Sequence, residues 1–370
     1  MRRNYILVFL LVICIGCREH YTNAQIRDNQ PLLWDFRSLD DDSLDDNDGL
    51  RETVRNTASI LSLSQPITIT DKNKSFSGDK HDYCSMAIYW WPDEKATDGK
   101  YVRRDGYTNP EYKQYDLPKL SELGNRCRTL SSLYYTSHNK QYYKAFVKQL
   151  RTWFVNKKTR MNPNFEYAQV IPGYDNNRGR STGLIEAYSF VYVLESIRLV
   201  ECVKPLDRKT RNGVKKWFGE FATWMMESDL GKAQSKVKDN NGIAYDVTLL
   251  SMLAYTERNE EMVKLLNDFT DKRILSSIEP DGKQPRELQR TKAYSYSIMN
   301  LNQILDFCIM SKSLGYPVYD DNKTRVDAAY KYLASFVGHK EKFPYSQITD
   351  WASCENDLKK TKNKLDRLNK

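Results

Sequence analysis

The chain has 370 residues, 40% of them hydrophobic and 28% charged, proportions that suit a globular protein with a substantial core. Its net charge of +9 favours acidic partners, but Lys and Arg are spread along the chain and no nucleic-acid motif accompanies them, so nucleic acid is not expected. Beyond Cys17 the cysteines are widely spaced without a CxxC pair, and no His/Asp/Glu ligand cluster is visible, so neither a disulfide framework nor a metal or other cofactor is expected.

The N-terminus is basic at Arg2 and Arg3, and a short apolar run follows, as in an export signal; the run is too short to span a membrane. Gly16-Cys17 has the form of a bacterial lipoprotein cleavage site, which would make Cys17 a lipid anchor and residues 1–17 the signal. Cys14 stands where that pattern usually has Leu, and ordinary cleavage after Ala24 is the alternative. Either way an exported protein is expected, periplasmic or held at a bacterial outer membrane, with 26–370 as a single domain. The acidic stretch 40–49 looks like a calcium loop, but Arg55 stands where an EF-hand needs a bidentate Glu; it reads as a solvated helix lead-in.

From there the chain reads as helix after helix. Phe146, Leu150 and Trp153 recur at spacings of four and three, and Leu184, Tyr188 and Val191 repeat the pattern. Further helices are expected near 119–134, 207–228, 246–256, 259–277, 292–312 and 322–336, with strand-like alternation confined to 66–70. LSSLYYTSHN at 130–139 is echoed by LSMLAYTERN at 250–259, and Asn139 and Asn259 would each cap a second helix. A recurring hairpin implies an all-α protein of stacked hairpins, a solenoid or a closed α/α toroid.

Four polar segments interrupt this rhythm. They are KHDYCSMAIYWWPD (80–93), IPGYDNNRGRSTG (171–183), KDNNGIAYDV (238–247) and PDGKQPRELQRTKAYSY (280–296). Each lies at or just before an expected helix, so all four would converge on one end of a toroid.

At these segments, with RRDGYTNPE (103–111) and GRSTGLIEA (179–187), the chain resembles the alginate lyase family. The matches run in family order from about residue 60 to 315. The resemblance implies a single-domain α/α toroid that cleaves an acidic polysaccharide, a polyuronate, by metal-independent β-elimination. That chemistry needs donors that neutralise the carboxylate as charge develops, a base for the C5 proton and an acid for the leaving O4.

Carried over by residue, the resemblance makes Asn240 the neutralising amide, Arg290 the active-site guanidinium and Tyr296 the proton donor. Asn241 stands where the family commonly has His, and an amide is no base near neutral pH. Tyr296 would then serve as both base and acid, with Arg290 lowering its pKa. One residue can do both only where H5 and O4 share a face of the sugar, as in β-D-mannuronate and β-D-glucuronate but not α-L-guluronate. A catalytically silent polyuronate binder is the alternative. A glycoside hydrolase would need two facing carboxylic acids, and these segments supply amides, Arg and Tyr instead.

The remaining candidates have two readings each. His81 is a rescue base or part of a lid; Tyr89, Trp90 and Trp91 stack on sugar rings, or at least one of the two Trp residues packs around Pro92. Arg178 and Arg180 hold substrate carboxylates or form salt bridges beside a helix start. Tyr245 lines the cleft or packs under it, and Tyr294 rivals Tyr296 from another side of the same helix.

Overall fold

The computed structural model describes residues 30–35, 65–95 and 99–370. The export segment with Cys14, Cys17 and Ala24, and the acidic stretch 40–49 with Arg55, lie outside the described residues.

The helices are α1 (Leu117–Ser137), α2 (Lys140–Leu150), α3 (Ser189–Val203), α4 (Arg208–Glu227), α5 (Asp229–Ser235), α6 (Asn240–Thr256), α7 (Asn259–Phe269), α8 (Pro285–Leu288), α9 (Ala293–Ser313), α10 (Val318–Ala334) and α11 (Trp351–Leu368). In α4 the buried residues Val214, Trp217, Phe218, Phe221, Ala222 and Met225 form one stripe, as expected of an outer helix with a solvated back. In α6, by contrast, every residue from Gly242 to Ala254 is buried, so this helix is enclosed on all sides. The inner helices succeed one another in space, α1 on α3, α3 on α6, α6 on α9 and α9 on α11. Outer helices α2, α4, α7 and α10 return the chain between them.

This alternation is an α/α toroid. Because each outer helix carries the chain back, the inner helices run parallel and their N-termini gather at one end. The N-termini of α3, α6 and α9 lie within or just after the polar segments, and their positive dipole ends suit an anionic ligand.

The sequence echo is a structural one. Thr136 and Thr256 each turn their hydroxyl back onto their own helix, to the carbonyls of Ser132 (3.0 Å) and Met252 (2.7 Å). His138 and Glu257 each leave the helix in the left-handed region, at φ 54° and 60°. The expected pair of caps holds at one place only. Asn139 caps α2 by accepting from the Gln141 N–H, whereas Asn259 is already the first residue of α7 and Arg258 occupies its N-cap position without a side-chain bond.

The strand-like stretch 66–70 forms no strand. Its backbone is taken instead by side chains of the α2 region: the Ile67 carbonyl accepts from Gln149 (3.0 Å) and from the Trp153 indole (2.8 Å). Among the described residues the strands lie in or beside the polar segments. β1 (Cys84–Met86) pairs in parallel with β4 (Tyr167–Val170), and β2 (Trp90–Pro92) pairs antiparallel with β3 (Tyr101–Arg103), Trp90 facing Arg103. No described helix is long and apolar enough to cross a membrane.

Candidate active site

The stretch KDNNGIAYDV begins α6 earlier than its apolar run suggests, so Asn240 is the first helical residue rather than part of a lead-in. Asp239 caps the helix, accepting from both the backbone N–H (2.9 Å) and the side-chain amide (3.1 Å) of Asn241. Asn240 is 2% exposed and turns to Glu287, donating from its backbone N–H (2.9 Å) and from Nδ2 (2.8 Å). Burial pushes the Glu287 carboxyl up to about 7, although Asn240 donates to it twice. Gly242 is required here, since a Cβ would stand 2.0 Å from the Val237 carbonyl oxygen. Asp246 pairs with Arg273 at 2.6 Å, both fully buried, and Arg273 also holds the carbonyls of Ser235 and Val237. The acidic residue of this motif thus ties down the loop that presents Asn240.

Helix α8 carries Glu287, and the Arg290 N–H closes that turn on the Glu287 carbonyl at 3.1 Å. Arg290 reaches away from α8 to Asp105, donating from Nε (3.1 Å) and Nη2 (2.8 Å). Thr291 adds its N–H and hydroxyl to the same carboxylate. Burial opposes the Asp105 charge, but the bonds from Arg290 and Thr291 outweigh it and hold the carboxyl well below the usual range. The turn is glycine-dependent, because Gly106 sits at φ 80° and a Cβ would meet the Thr291 hydroxyl at 2.6 Å. The β2–β3 hairpin is therefore fastened to the chain just ahead of α9.

Tyr296, on the first turns of α9, is 7% exposed. Its hydroxyl lies 2.7 Å from that of Tyr89, and the Arg290 guanidinium stands over its ring at 4.1 Å from the centroid. The expectation that Arg290 makes tyrosinate accessible is corrected. Burial pushes the Tyr296 pKa far up and the Tyr89 bond adds to this, while the guanidinium only partly offsets them.

The other expected site residues divide. Arg180 stands over Trp90 at 5.8 Å, and Trp90 tilts against Tyr174 at 5.8 Å. Burial pulls the Arg180 pKa down and nearby Arg103 adds to it, so its charge is poorly compensated and suited to a carboxylate. Trp91 donates to the Tyr107 carbonyl (2.9 Å) and carries Arg104 over its ring at 5.4 Å. Arg178 is spent: Nε meets Glu166 at 2.5 Å and the fork meets Asp229 at 2.7 and 2.6 Å, which is the salt-bridge reading. His81 is tied through Nδ1 to the Arg160 carbonyl at 2.7 Å, as a residue shaping the segment. Tyr245 and Tyr294 are core residues and not cleft residues. Tyr245 donates to the Met225 carbonyl (2.8 Å), whereas Tyr294 donates to the Leu333 carbonyl (2.9 Å) and stacks on Trp351 at 4.2 Å. Asn241 is a helical residue whose amide donates to the cap Asp239, and it has no basic atom.

The family model for alginate lyase matches residues 67–343, three quarters of the chain. The chain belongs to the alginate lyase family. It is 33% identical to an alginate lyase from Bacteroides ovatus whose crystal structure it matches with a TM-score of 0.85, over 93% of each chain. Alginate lyase A1-III from Sphingomonas species A1 is 14% identical, with a TM-score of 0.52 over 87% of this chain and 82% of that one. A histidine-to-alanine variant of alginate lyase A1-III complexed with a tetrasaccharide is 13% identical, at 0.57 over 88% and 83%. At that identity these two show the toroid alone. No curated protein sequence matches the chain.

The protein is thus a polysaccharide lyase, and two carboxylates of the candidate site are not among the residues singled out from the sequence. Asp105 and Glu287 both stand in quoted motifs, in RRDG and PREL. The available signal was a carboxylate three residues before Arg290 in a motif otherwise read for its cation. A third carboxylate, Glu186, accepts from Tyr83 (2.7 Å) and Ser85 (2.6 Å) in full burial and fastens β1 to the segment leading into α3. Among the described residues no His/Cys/Asp/Glu group is arranged to hold a metal ion.

Proposed function

We propose that the lyase cleaves a β-1,4-linked polyuronate, mannuronan within alginate or glucuronan, by β-elimination centred on Tyr296. The Tyr89–Tyr296 hydroxyl pair at 2.7 Å, beside Arg290 and at the gathered N-termini of the inner helices, carries this reading. The C5 carboxylate is met by the Asn240 amide and by Nη1 of Arg290, the nitrogen not engaged by Asp105. These donors stabilise the charge that moves onto the carboxylate as H5 leaves. In the minor phenolate form that its raised pKa leaves, Tyr296 takes H5; the C5–H electron pair forms the C4–C5 double bond, the C4–O4 bond breaks, and the Tyr296 hydroxyl so formed returns the proton to O4, regenerating the phenolate. Tyr89 donates to the Tyr296 oxygen while that oxygen is anionic.

Asn241 supports the substrate choice. With an amide bonded to Asp239 where the family commonly has His, that position supplies no second base, and a single hydroxyl serves only sugars whose H5 and O4 share a face. Arg180 with Trp90 supplies a cation and a ring face for a neighbouring uronate. The test is incubation with mannuronan, glucuronan and guluronan while following the ultraviolet absorbance of the unsaturated product. Turnover of either of the first two in excess of guluronan is expected, and equal or greater turnover of guluronan would overturn the substrate assignment.

A further inference from the structure

Glu287 is a carboxylate 2% exposed whose two oxygens both serve one residue, the backbone N–H and the side-chain amide of Asn240. Among the described residues it has no ion pair, and the nearby Arg290 is committed to Asp105. A carboxylate buried on these terms is costly. Capping α6 does not require it, since Asp239 already caps that helix with its side chain. The bond that capping leaves unexplained is the one to Nδ2.

We propose that Glu287 is a positioning residue of the lyase, fixing which way the Asn240 amide faces. This rests on the reading that Asn240 meets the substrate carboxylate. A side-chain amide has two donors on one side and an acceptor on the other, and a half-turn exchanges them. Facing an anionic carboxylate, Nδ2 must turn toward Glu287 and Oδ1 away from it. One Nδ2–H is then held by Glu287 and the second remains for the C5 carboxylate. Flipped, Asn240 would present its carbonyl oxygen to Glu287 and lose that bond. Glu287 also leads the turn that carries Arg290, so the two neutralising donors are set relative to each other by one helical turn. Glu287 acts through Asn240 and does not touch the sugar.

The experiment is a double-mutant cycle on the full chain with N240A, E287Q and the double variant, read by turnover on the preferred uronan and by thermal unfolding. A glutamine at 287 pairs with either face of the Asn240 amide, so it removes the orientation while preserving size. We expect kcat of E287Q to fall about tenfold, the worth of one well-placed hydrogen bond, with KM nearly unchanged. In the N240A background the same change should cost nothing further. A second readout follows from the buried carboxyl held near neutral pH: the wild-type rate should show an inflection near 7 that E287Q lacks. Should E287Q fold poorly, E287D replaces it, too short to reach both N–H groups. Wild-type turnover by E287Q, or losses that multiply in the double variant, would overturn the positioning role and leave Asn240 as assigned. Wild-type turnover by N240A would instead overturn the role of Asn240 and this inference together.

Discussion

The Arg290 guanidinium lies 4.1 Å from the ring centroid of Tyr296, over the ring face, while the Tyr296 hydroxyl is bonded to Tyr89. A cation in that place attracts the ring but compensates poorly for burial of the oxygen, so burial wins and the phenol is held far above its ordinary pKa. If Tyr296 takes H5, the active form is the tyrosinate, whose fraction rises with pH up to the raised pKa. The rate constant kcat/KM should therefore climb with pH past about 9 without a plateau, since even a free Tyr titrates near 10. A pH–rate profile flat from neutrality upward would show that another group takes the proton.

The hydroxyl pair makes a separable prediction. Tyr296→Phe removes the group that moves the proton and should cost about 10²–10⁴-fold in kcat, with binding spared. Tyr89→Phe keeps the ring and loses one hydrogen bond to the developing phenolate, a cost of about tenfold. Steady-state kinetics on both variants checks the ranking, and equal losses would mean that Tyr89 itself transfers a proton.

Asp105 anchors Arg290 and Thr291 at once, so Asp105→Asn should loosen both the guanidinium and the hairpin that carries Tyr89. Turnover is expected to fall about 10²-fold, from a misplaced donor near the reacting centre. The folded carboxyl titrates below its unfolded value of about 3.9, so its stabilising contribution is present above that value and is lost as pH falls through the lower folded one. The anchor therefore holds across the working range, and hydrogen exchange of the hairpin amides should be insensitive to pH in wild type but faster in the variant once corrected for intrinsic rates.

Helix positions were legible because apolar spacing is local. Phe146, Leu150 and Trp153 announce α2 and its extension from adjacent turns, as the Val214–Met225 stripe announces α4. The convergence of the polar segments was legible too, since parallel inner helices follow from hairpin alternation. What the sequence did not yield were contacts made across the chain. Asp105 meets Arg290 across 185 positions and Glu287 meets Asn240 across 47, and neither separation has a period to read. Tyr245 and Tyr294 failed for a related reason. Next to functional residues they carry the same motif signal, and only packing on the Met225 and Leu333 carbonyls places them in the core. The sign of the Tyr296 shift was set by burial and by the bond to Tyr89, which Arg290 only partly offsets, and neither is read from spacing.

The Asp246–Arg273 pair predicts a stability effect distinct from catalysis. Both residues are fully buried, and Arg273 also secures the loop ahead of Asn240. Asp246→Asn leaves the guanidinium buried without its counter-charge, for which about 3–5 kcal/mol of destabilisation is expected. Urea unfolding followed by circular dichroism measures it. A loss below about 1 kcal/mol, the scale of an exposed pair, would show that water reaches the site.

Arg178 and Arg180, two positions apart, should respond oppositely. Arg178 is held by Glu166 and Asp229 and its charge is already compensated by two carboxylates, so Arg178→Ala should lower thermal stability modestly and leave KM for polyuronate near wild type. Its pairs are partly exposed, which keeps the stability loss small. Arg180 rests over Trp90 with its charge poorly compensated, and a uronate carboxylate arriving there would supply the missing anion. Arg180→Ala should therefore raise KM about tenfold, the scale of one charge-assisted hydrogen bond, while kcat changes little. The KM of wild type should also rise with added salt more steeply than that of the Arg180 variant, because screening weakens an interaction the variant no longer makes. Parallel salt dependences in the two proteins would remove Arg180 from the substrate path.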